Sequence, residues 1–358
     1  MSKKIKVLFL TQYGERDSPS GRQRVYQYLP LIREQGVLCT VSPGQKYRYF
    51  KNNYVLKTIT IAILTTIKRF LDIFRIKKYD VIFFQREIYQ KSVPPVFEWI
   101  YSRLNKNIIF DFDDAIYLDN RYIPKILGWS KEVIVGNNNL REYALRYNKN
   151  VTLLPTPLKE EEFTLVKKYR PKKKKEKVII GWVGNVKPHL ENLRLVKPVI
   201  KRLEEKYNIE FRIIGAMGNK DIKRIYKDVK CVKIIHSVEP KKLQNELIKF
   251  DIGIMPLVNN EWNAGKSGRK LLEYLAVGLA TVSSPIGINA DIIKNGKNGF
   301  SAKTEEEWYA KLEKLINDED LRKRMGKTGR KSISQRYFLK PCSKRLIKII
   351  KKVAKSEK

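Results

Sequence analysis

DIGIMPLVNNEWNAGKSGRKLLEYLAVGLATVSSPIGINADIIKNGKNG, residues 251–299, is the stretch on which the reading of this chain turns. Ile252 to Met255 is a short apolar run stopped by Pro256, and Ala280 to Ser283 is another, closed by Pro285. A longer amphipathic segment lies between them, so the order is strand, helix, strand, the unit of a parallel sheet. A helix beginning near Ser267 presents unpaired backbone N–H groups and the positive end of its dipole, and Lys266, Arg269 and Lys270 surround that end with cations. Gly265 and Gly268 allow a ligand to approach the backbone closely. A diphosphate suits such a place; the plainer alternative is a solvated helix start with basic neighbours. One turn on, Glu273 is placed to accept hydrogen bonds from a hydroxylated ligand.

The same alternation extends outward in both directions. Before the stretch, strands are predicted at Lys6 to Leu10, Val37 to Val41, Val81 to Phe84, Asn107 to Phe110, Val133 to Gly136 and Val151 to Leu154. A second series comprises Val178 to Trp182, Glu210 to Ile214, Val232 to Ile235, Ile252 to Met255 and Ala280 to Ser283. Between the series, Arg170-Pro171 and the lysines 172–175 combine proline with like charges and mark a linker. The predicted fold class is therefore α/β, with two tandem Rossmann-like domains. Each series opens with a strand running into a glycine-containing turn, at Gly14 and at Gly184-Asn185. Neither turn is a GxGxxG fingerprint, which gives little support to a dehydrogenase-type dinucleotide site. Ligands of open α/β sheets bind beyond the carboxyl ends of the strands, so both turns are expected at a crevice shared by the domains.

At Met255-Pro256, Gly265, Glu273 to Gly278, Ser284 to Gly287 and Asn295 to Phe300, the chain resembles the group 1 (family 4) nucleotide-sugar glycosyltransferases of the GT-B fold. Ser20 to Val25 with Gly36, Val133 to Asn138, Leu154 to Pro157 and Leu321 to Tyr337 extend the likeness along nearly the whole chain. The resemblance implies an N-terminal acceptor-binding domain, 1–165, and a C-terminal nucleotide-sugar-binding domain, 172–338, facing each other across a cleft. It implies also a final helix, within 339–358, that crosses back to the first domain. It casts Glu273 as the holder of the nucleotide ribose. The donor site it implies comprises Gly184, Asn185, Lys187, His236, Gly265, Lys266, Ser267, Gly268, Lys270 and Glu273. The sequence departs from the family in three places: Gly265 stands where a first Glu is common, Asn185 where an Arg is, and Leu190 where a Lys is. Lys187 is the substitute cation, and Glu261 and Asn263 are candidates for sugar hydroxyls.

Composition narrows the classes. At roughly 150 residues per domain, 358 residues make two to three domains, and a 42% hydrophobic content fills more than one core. Lys plus Arg number 74 against 37 Asp plus Glu, a formal charge of +37 that points to a polyanion, a phosphorylated ligand or an anionic surface, or to a lysine-rich genomic bias. Cys39, Cys231 and Cys342 are odd in number and lack CxxC spacing, against both a disulfide framework and zinc and in favour of a reducing cytoplasm. Val7 to Leu10 is too short for a signal-peptide core. Thr58 to Ile67, uncharged, is about half of the ~20 residues that span a bilayer.

In the first half, Asp111-Phe112-Asp113-Asp114 follows a strand where the family often has a His near the reacting carbon. Closely spaced carboxylates can supply a general base, and Asp113 or Asp114 is the catalytic candidate. A helix N-cap is the competing role, and a divalent metal, suggested by the Asp-x-Asp spacing, is not expected. Gly21, Arg22 and Arg24 are expected at the mouth of this domain, where arginines clamp phosphate. His189 and His236 are too few for a metal site; His236 ends a strand where the family's loop nears the nucleobase. Between Tyr54 and Lys78, apolar residues interleave with Lys57, Lys68, Arg69, Arg75, Lys77 and Lys78. This is either an interfacial helix, cations toward anionic headgroups, or a crossover helix of the first sheet.

The resulting expectation is a cytoplasmic, peripherally membrane-associated glycosyltransferase of polysaccharide biosynthesis. It moves a hexose-type unit from a nucleoside diphosphate sugar to a glycan or lipid-linked acceptor, by resemblance with retention, and uses no cofactor or metal. The alternatives are a basic nucleic-acid-binding protein, against which stands the lack of any helix-turn-helix, RNP or zinc-finger pattern, and a catalytically silent GT-B scaffold.

Overall fold

The computed structural model describes residues 4–16, 18–45, 54–90, 92–163, 177–239 and 242–355. The expected linker over 170–175 lies outside these residues. Six strands build the first sheet: β1 (Lys6–Tyr13), β2 (Leu38–Gln45), β3 (Val81–Gln85), β4 (Ile108–Phe112), β5 (Glu132–Val135) and β6 (Val151–Leu153). Their order is β2-β1-β3-β4-β5-β6, all parallel. Six more build the second: β7 (Val178–Val183), β8 (Ile209–Ile214), β9 (Val232–Ile235), β10 (Ile252–Met255), β11 (Ala280–Ser283) and β12 (Phe300–Ser301). Here the order is β12-β11-β10-β7-β8-β9, again parallel. Apolar residues run continuously through most of these strands because helices cover both faces of a parallel sheet.

The chain divides into two compact units. The first comprises 1–157, Gly265–Ser267 and Leu339–Lys358; the second comprises Leu158–Ala264 and Gly268–Phe338. In the first, Val7, Phe9, Phe83, Ile109 and Ile134 meet Tyr28 and Ile32 on one side of the sheet, and the helix Leu339–Lys355 completes that layer. This helix buries Leu339, Cys342, Leu346, Ile350 and Val353, a stripe at three- and four-residue spacing. In the second unit one cluster gathers around Trp182, Phe211, Ile254 and Trp308, another around Tyr274, Leu275, Phe250 and Ile333.

The order of strands places the chemistry. After β2 the chain returns to the other side of β1, and after β9 to the other side of β7, so the switch points lie at β1/β3 and at β7/β10. Beyond the carboxyl ends of those strands, crossover connections diverge and leave room for a ligand.

Two expectations needed correction. Over Ser20 to Gly36, where the family resemblance implies one helix that closes at Gly36, the chain forms three short pieces, Pro19–Arg24, a 3-10 turn Tyr26–Tyr28, and Leu29–Glu34. Pro30 favours the start of the last piece, where its missing N–H costs nothing, and its ring crowds the carbonyl four residues back, which weakens any helix running into it from Tyr26. Strand β12 was not anticipated, since two residues make no readable pattern.

Candidate functional site

Each unit gathers polar groups at its switch point. In the first, β3 ends at Gln85 and the chain turns through Arg86, whose φ of +61° is costly for a residue with a Cβ. Its N–H donates to the Asp111 carbonyl at 2.8 Å, holding the turn to the end of β4. The guanidinium then reaches both following carboxylates, with Nη2 2.8 Å from Asp113 Oδ1 and 2.5 Å from Asp114 Oδ2. Ser20 Oγ also donates to Asp113 Oδ1 at 2.7 Å, and Gln85 Nε2 donates to Ser20 Oγ at 3.0 Å.

These contacts give the two carboxyls opposite character. Burial pushes Asp113 up, but Arg86 and Arg24 beside it and the Ser20 bond outweigh that, leaving it below its ordinary value and ionised. Burial also pushes Asp114 up, and there, with Asp113 adding to the rise, Arg86 and Lys266 fail to reverse it. Asp114 is the more exposed of the two, its side chain 29% accessible against 5%. None of Asp111, Asp113 and Asp114 caps a helix: the following 3-10 turn, Ile116–Leu118, has Ala115 at its N-cap and no side-chain cap.

Arg24 does not stand at a mouth. Its side chain is wholly buried, forked onto the carboxylate of Asp111 through Nε at 3.1 Å and through Nη2, with Nη1 donating to the Leu154 carbonyl at 2.7 Å. Burial alone would lower its pKa; Asp111 more than offsets this, so the guanidinium stays charged and cannot turn outward to a phosphate. Gly21 is buried in the first short helix, and Arg22 is half-buried.

Glu87, beside Arg86, is 4% exposed, and burial pushes its carboxyl up to about 7 from an ordinary 4.5. The folded chain thus keeps a proton that the unfolded chain releases, so its stabilising contribution is full below about pH 4.5 and is lost as pH rises through 7. Glu87→Gln should therefore raise stability at pH 8 by on the order of 3 kcal/mol and change little at pH 4. Melting temperatures of both proteins across that range check it; parallel curves would show that Glu87 ionises normally.

The loop Gly265–Ser267 groups with the first unit. Asn137 Nδ2 donates to the Lys266 carbonyl at 2.9 Å. A Cβ on Gly265 would lie 2.6 Å from Ala115 Cβ, which gives a packing reason for glycine, and for no glutamate, at this position. Lys266 is pulled below its ordinary pKa by burial, against the opposing pull of Asp114.

In the second unit, β7 runs into Gly184, whose N–H donates to the Ile214 carbonyl at 2.9 Å. A Cβ on Gly184 would fall 2.2 Å from Lys270 Cε, so the bare glycine is what lets Lys270 lie across this turn. Lys270 Nζ sits 4.8 Å over the Trp182 ring and 2.7 Å from His189 Nε2. His189 is buried, with Nδ1 2.9 Å from Asn192 Nδ2. Asn192 Oδ1 accepts from Val258 N–H at 2.8 Å and from Asn263 Nδ2 at 3.0 Å. Asn263, taken as a candidate for sugar hydroxyls, is buried and committed to this network; Glu261 is exposed.

The helix expected near Ser267 starts at Arg269 and runs to Ala276, with Gly268 as N-cap at φ +66°. Glu273 is one turn inside it, 9% exposed, and accepts from Arg269 Nε at 2.8 Å. Asn185 and Lys187 are exposed, with Asn185 Oδ1 accepting from Lys187 N–H at 3.2 Å. His236 is exposed at the end of β9, its carbonyl accepting from Met217 N–H at 2.8 Å. Gly184, Lys270 and Glu273 thus share one end of the second sheet. Sequence reasoning missed Arg86 and left His189 without a role. The signal for Arg86 was a charged pair, Arg86-Glu87, one residue after the apolar run Val81 to Phe84.

Residues 166–332 match the sequence family described as glycosyl transferases group 1. A capsular polysaccharide biosynthesis glycosyltransferase, CapM of Staphylococcus aureus, is 24% identical over 167 residues, 44% of this chain. That match spans 42% of the relative's length. Among solved structures, a glycosyltransferase from Rickettsia africae superposes over 99% of this chain and 100% of its own, with a TM-score of 0.68 at 15% identity. Anabaena HepE, in complex with UDP and glucose, superposes over 97% of this chain and 99% of its own, with a TM-score of 0.69 at 13% identity. At such identities the likeness is one of fold, the two Rossmann-like domains of the GT-B glycosyltransferases.

Proposed function

We propose that this group 1 glycosyltransferase takes a hexose-type unit from a nucleoside diphosphate sugar and passes it to a glycan or lipid-linked acceptor with retention of anomeric configuration. The observation that carries this is the second unit's switch point. A glycine turn, a lysine laid across it and a buried glutamate one turn into the next helix meet there, within the segment that matches the family. Lys270, held against a histidine nitrogen and an indole face, brings a cation to this turn, where a diphosphate would meet it. Glu273, with its charge already balanced by Arg269, can accept ribose hydroxyls without being left a lone buried anion. The UDP and glucose held by Anabaena HepE support a donor of that class. In this scheme the leaving diphosphate is stabilised by lysine and backbone N–H groups rather than by a metal, an electrostatic contribution to catalysis.

A thermal-shift panel tests the donor directly, because a ligand that binds only the native state raises the melting temperature. UDP or a UDP-sugar should raise it, and an oligonucleotide at the same salt should not. Glu273→Gln should weaken donor affinity about tenfold or more, the loss of charge-assisted hydrogen bonds to the ribose, while leaving the unliganded melting temperature within a few degrees. Unchanged affinity in that variant would remove Glu273 from the site. Donor binding without sugar transfer or slow donor hydrolysis would favour the silent scaffold.

A further inference from the structure

Of the chain's two histidines, His236 is exposed and His189 is enclosed, at 5% exposure. What surrounds His189 fixes where its proton sits. Val258 offers two backbone groups whose roles cannot be exchanged: its N–H donates to Asn192 Oδ1 at 2.8 Å, and its carbonyl accepts from Asn263 Nδ2 at 2.9 Å. The two amides close a ring, with Asn263 Nδ2 donating to Asn192 Oδ1 at 3.0 Å and Asn192 Nδ2 donating to Asn263 Oδ1 at 3.3 Å. Turning either amide over would set donor against donor, or acceptor against acceptor, at Val258. Asn192 therefore presents an N–H to His189, and Nδ1, 2.9 Å away, must accept it. A ring that accepts at Nδ1 is a neutral imidazole with its hydrogen on Nε2; an imidazolium, protonated on both nitrogens, does not fit.

That hydrogen is aimed at a cation. Nε2 lies 2.7 Å from Lys270 Nζ, and both stand at the Gly184 turn, where a Cβ would fall 2.7 Å from Nζ. Trp182 packs edge-on against the imidazole, with ring centroids 5.5 Å apart, and the His189 backbone N–H donates to the Val186 carbonyl at 2.8 Å. An imidazole N–H and an ammonium are both hydrogen-bond donors, so at this separation they repel. One anionic oxygen accepting from both turns the repulsion into two charge-assisted hydrogen bonds. For packing alone, either tautomer would serve.

We propose that His189 is a diphosphate-binding residue, whose Nε2–H donates beside Lys270 to a phosphoryl oxygen of the nucleoside diphosphate sugar. Asn192 and Asn263 act through the imidazole as positioning residues. This contact rests on the nucleotide-sugar reading and adds to it a neutral donor of fixed direction. Long-range proton–nitrogen NMR spectra of the parent chain contain two imidazoles, and the His189→Phe spectrum identifies one by its loss. At about pH 7, before any ligand is added, the His189 ring should be neutral with its hydrogen on Nε2. UDP should shift that Nε2–H resonance, and uridine, which has no phosphate, should leave it in place. His189→Phe, which keeps a ring against Trp182, should weaken UDP binding about tenfold or more, and His189→Gln, which still offers an N–H, should recover part of the loss. Hydrogen on Nδ1 in the unliganded protein would overturn the proposal whatever binds. So would UDP binding that moves neither the resonance nor the His189→Phe affinity, a result under which the nucleotide-sugar reading stands. If UDP, ADP and GDP all failed to bind the parent chain, both would fall.

Discussion

Replacing Arg24 by methionine should destabilise the first unit by about 3–5 kcal/mol, the largest stability effect expected of any single substitution here. Arg24 is fully enclosed, and it meets Asp111 at the end of β4 with two nitrogens of its fork while the third caps the Leu154 carbonyl after β6. Methionine fills much of the volume, so packing loss is minor. What remains is an aspartate under the sheet end with its counter-charge gone and a carbonyl with its donor gone. Asp111→Asn should cost less, because the arginine keeps Leu154 and the nearby Asp113. Joining Arg24→Met with Asp111→Leu should recover much of the loss, since an apolar pair of similar volume often replaces a buried ion pair without penalty. Urea denaturation followed by circular dichroism measures all three. A single-variant loss under about 1 kcal/mol would mean that Asp111 is hydrated, or protonated, in the native state.

Arg24 also shows where the sequence misleads. In Ser20-Gly21-Arg22-Gln23-Arg24-Val25 two arginines alternate at what reads as an exposed helix start, and nothing local separates them. Arg24 turns inward because Asp111, 87 positions away in sequence, ends a neighbouring region of the sheet, and pairings at that separation leave no periodic trace. The strands were legible for the opposite reason. A strand covered on both faces must be apolar throughout, and Val81 to Phe84 or Ile252 to Met255 announce themselves within four residues. The helix Tyr54–Ile73 lies between these cases. Its periodicity is plain, but periodicity does not say which face points inward, and here Arg69 and Asp72 hold the polar side against the ends of β1 and β2. In the second unit, Gly184 and Lys270 were both visible as chemistry-bearing residues. Their contact was not, since it rests on the side of the turn from which the lysine approaches.

Within the carboxylate cluster, the burden of proton transfer should fall on Asp114 rather than Asp113. Arg86, Arg24 and Ser20 hold Asp113 ionised below its ordinary range, which makes it an anchor for the guanidinium and a poor carrier of protons near neutrality. Asp114 shares the same guanidinium but is more open, and burial lifts its pKa, moving it toward the range in which a general base is effective. Asp114→Ala and Asp114→Asn should each lower kcat by roughly a hundred- to ten-thousandfold, the usual contribution of a positioned acid or base. Donor-induced thermal shifts should stay unchanged in both. The parent's kcat/KM should fall as pH drops through the Asp114 pKa, above the ordinary carboxylate range, and that limb should vanish in Asp114→Asn. Asp113→Asn, which keeps the shape but gives up the negative charge that anchors Arg86, should retain the limb at a lower overall rate. Full activity in both Asp113→Ala and Asp114→Ala would exclude the cluster from catalysis. A limb lost in the Asp113 variant instead would assign the proton to the residue that Ser20 and Arg86 hold most tightly, and the electrostatic ordering argued here would be reversed.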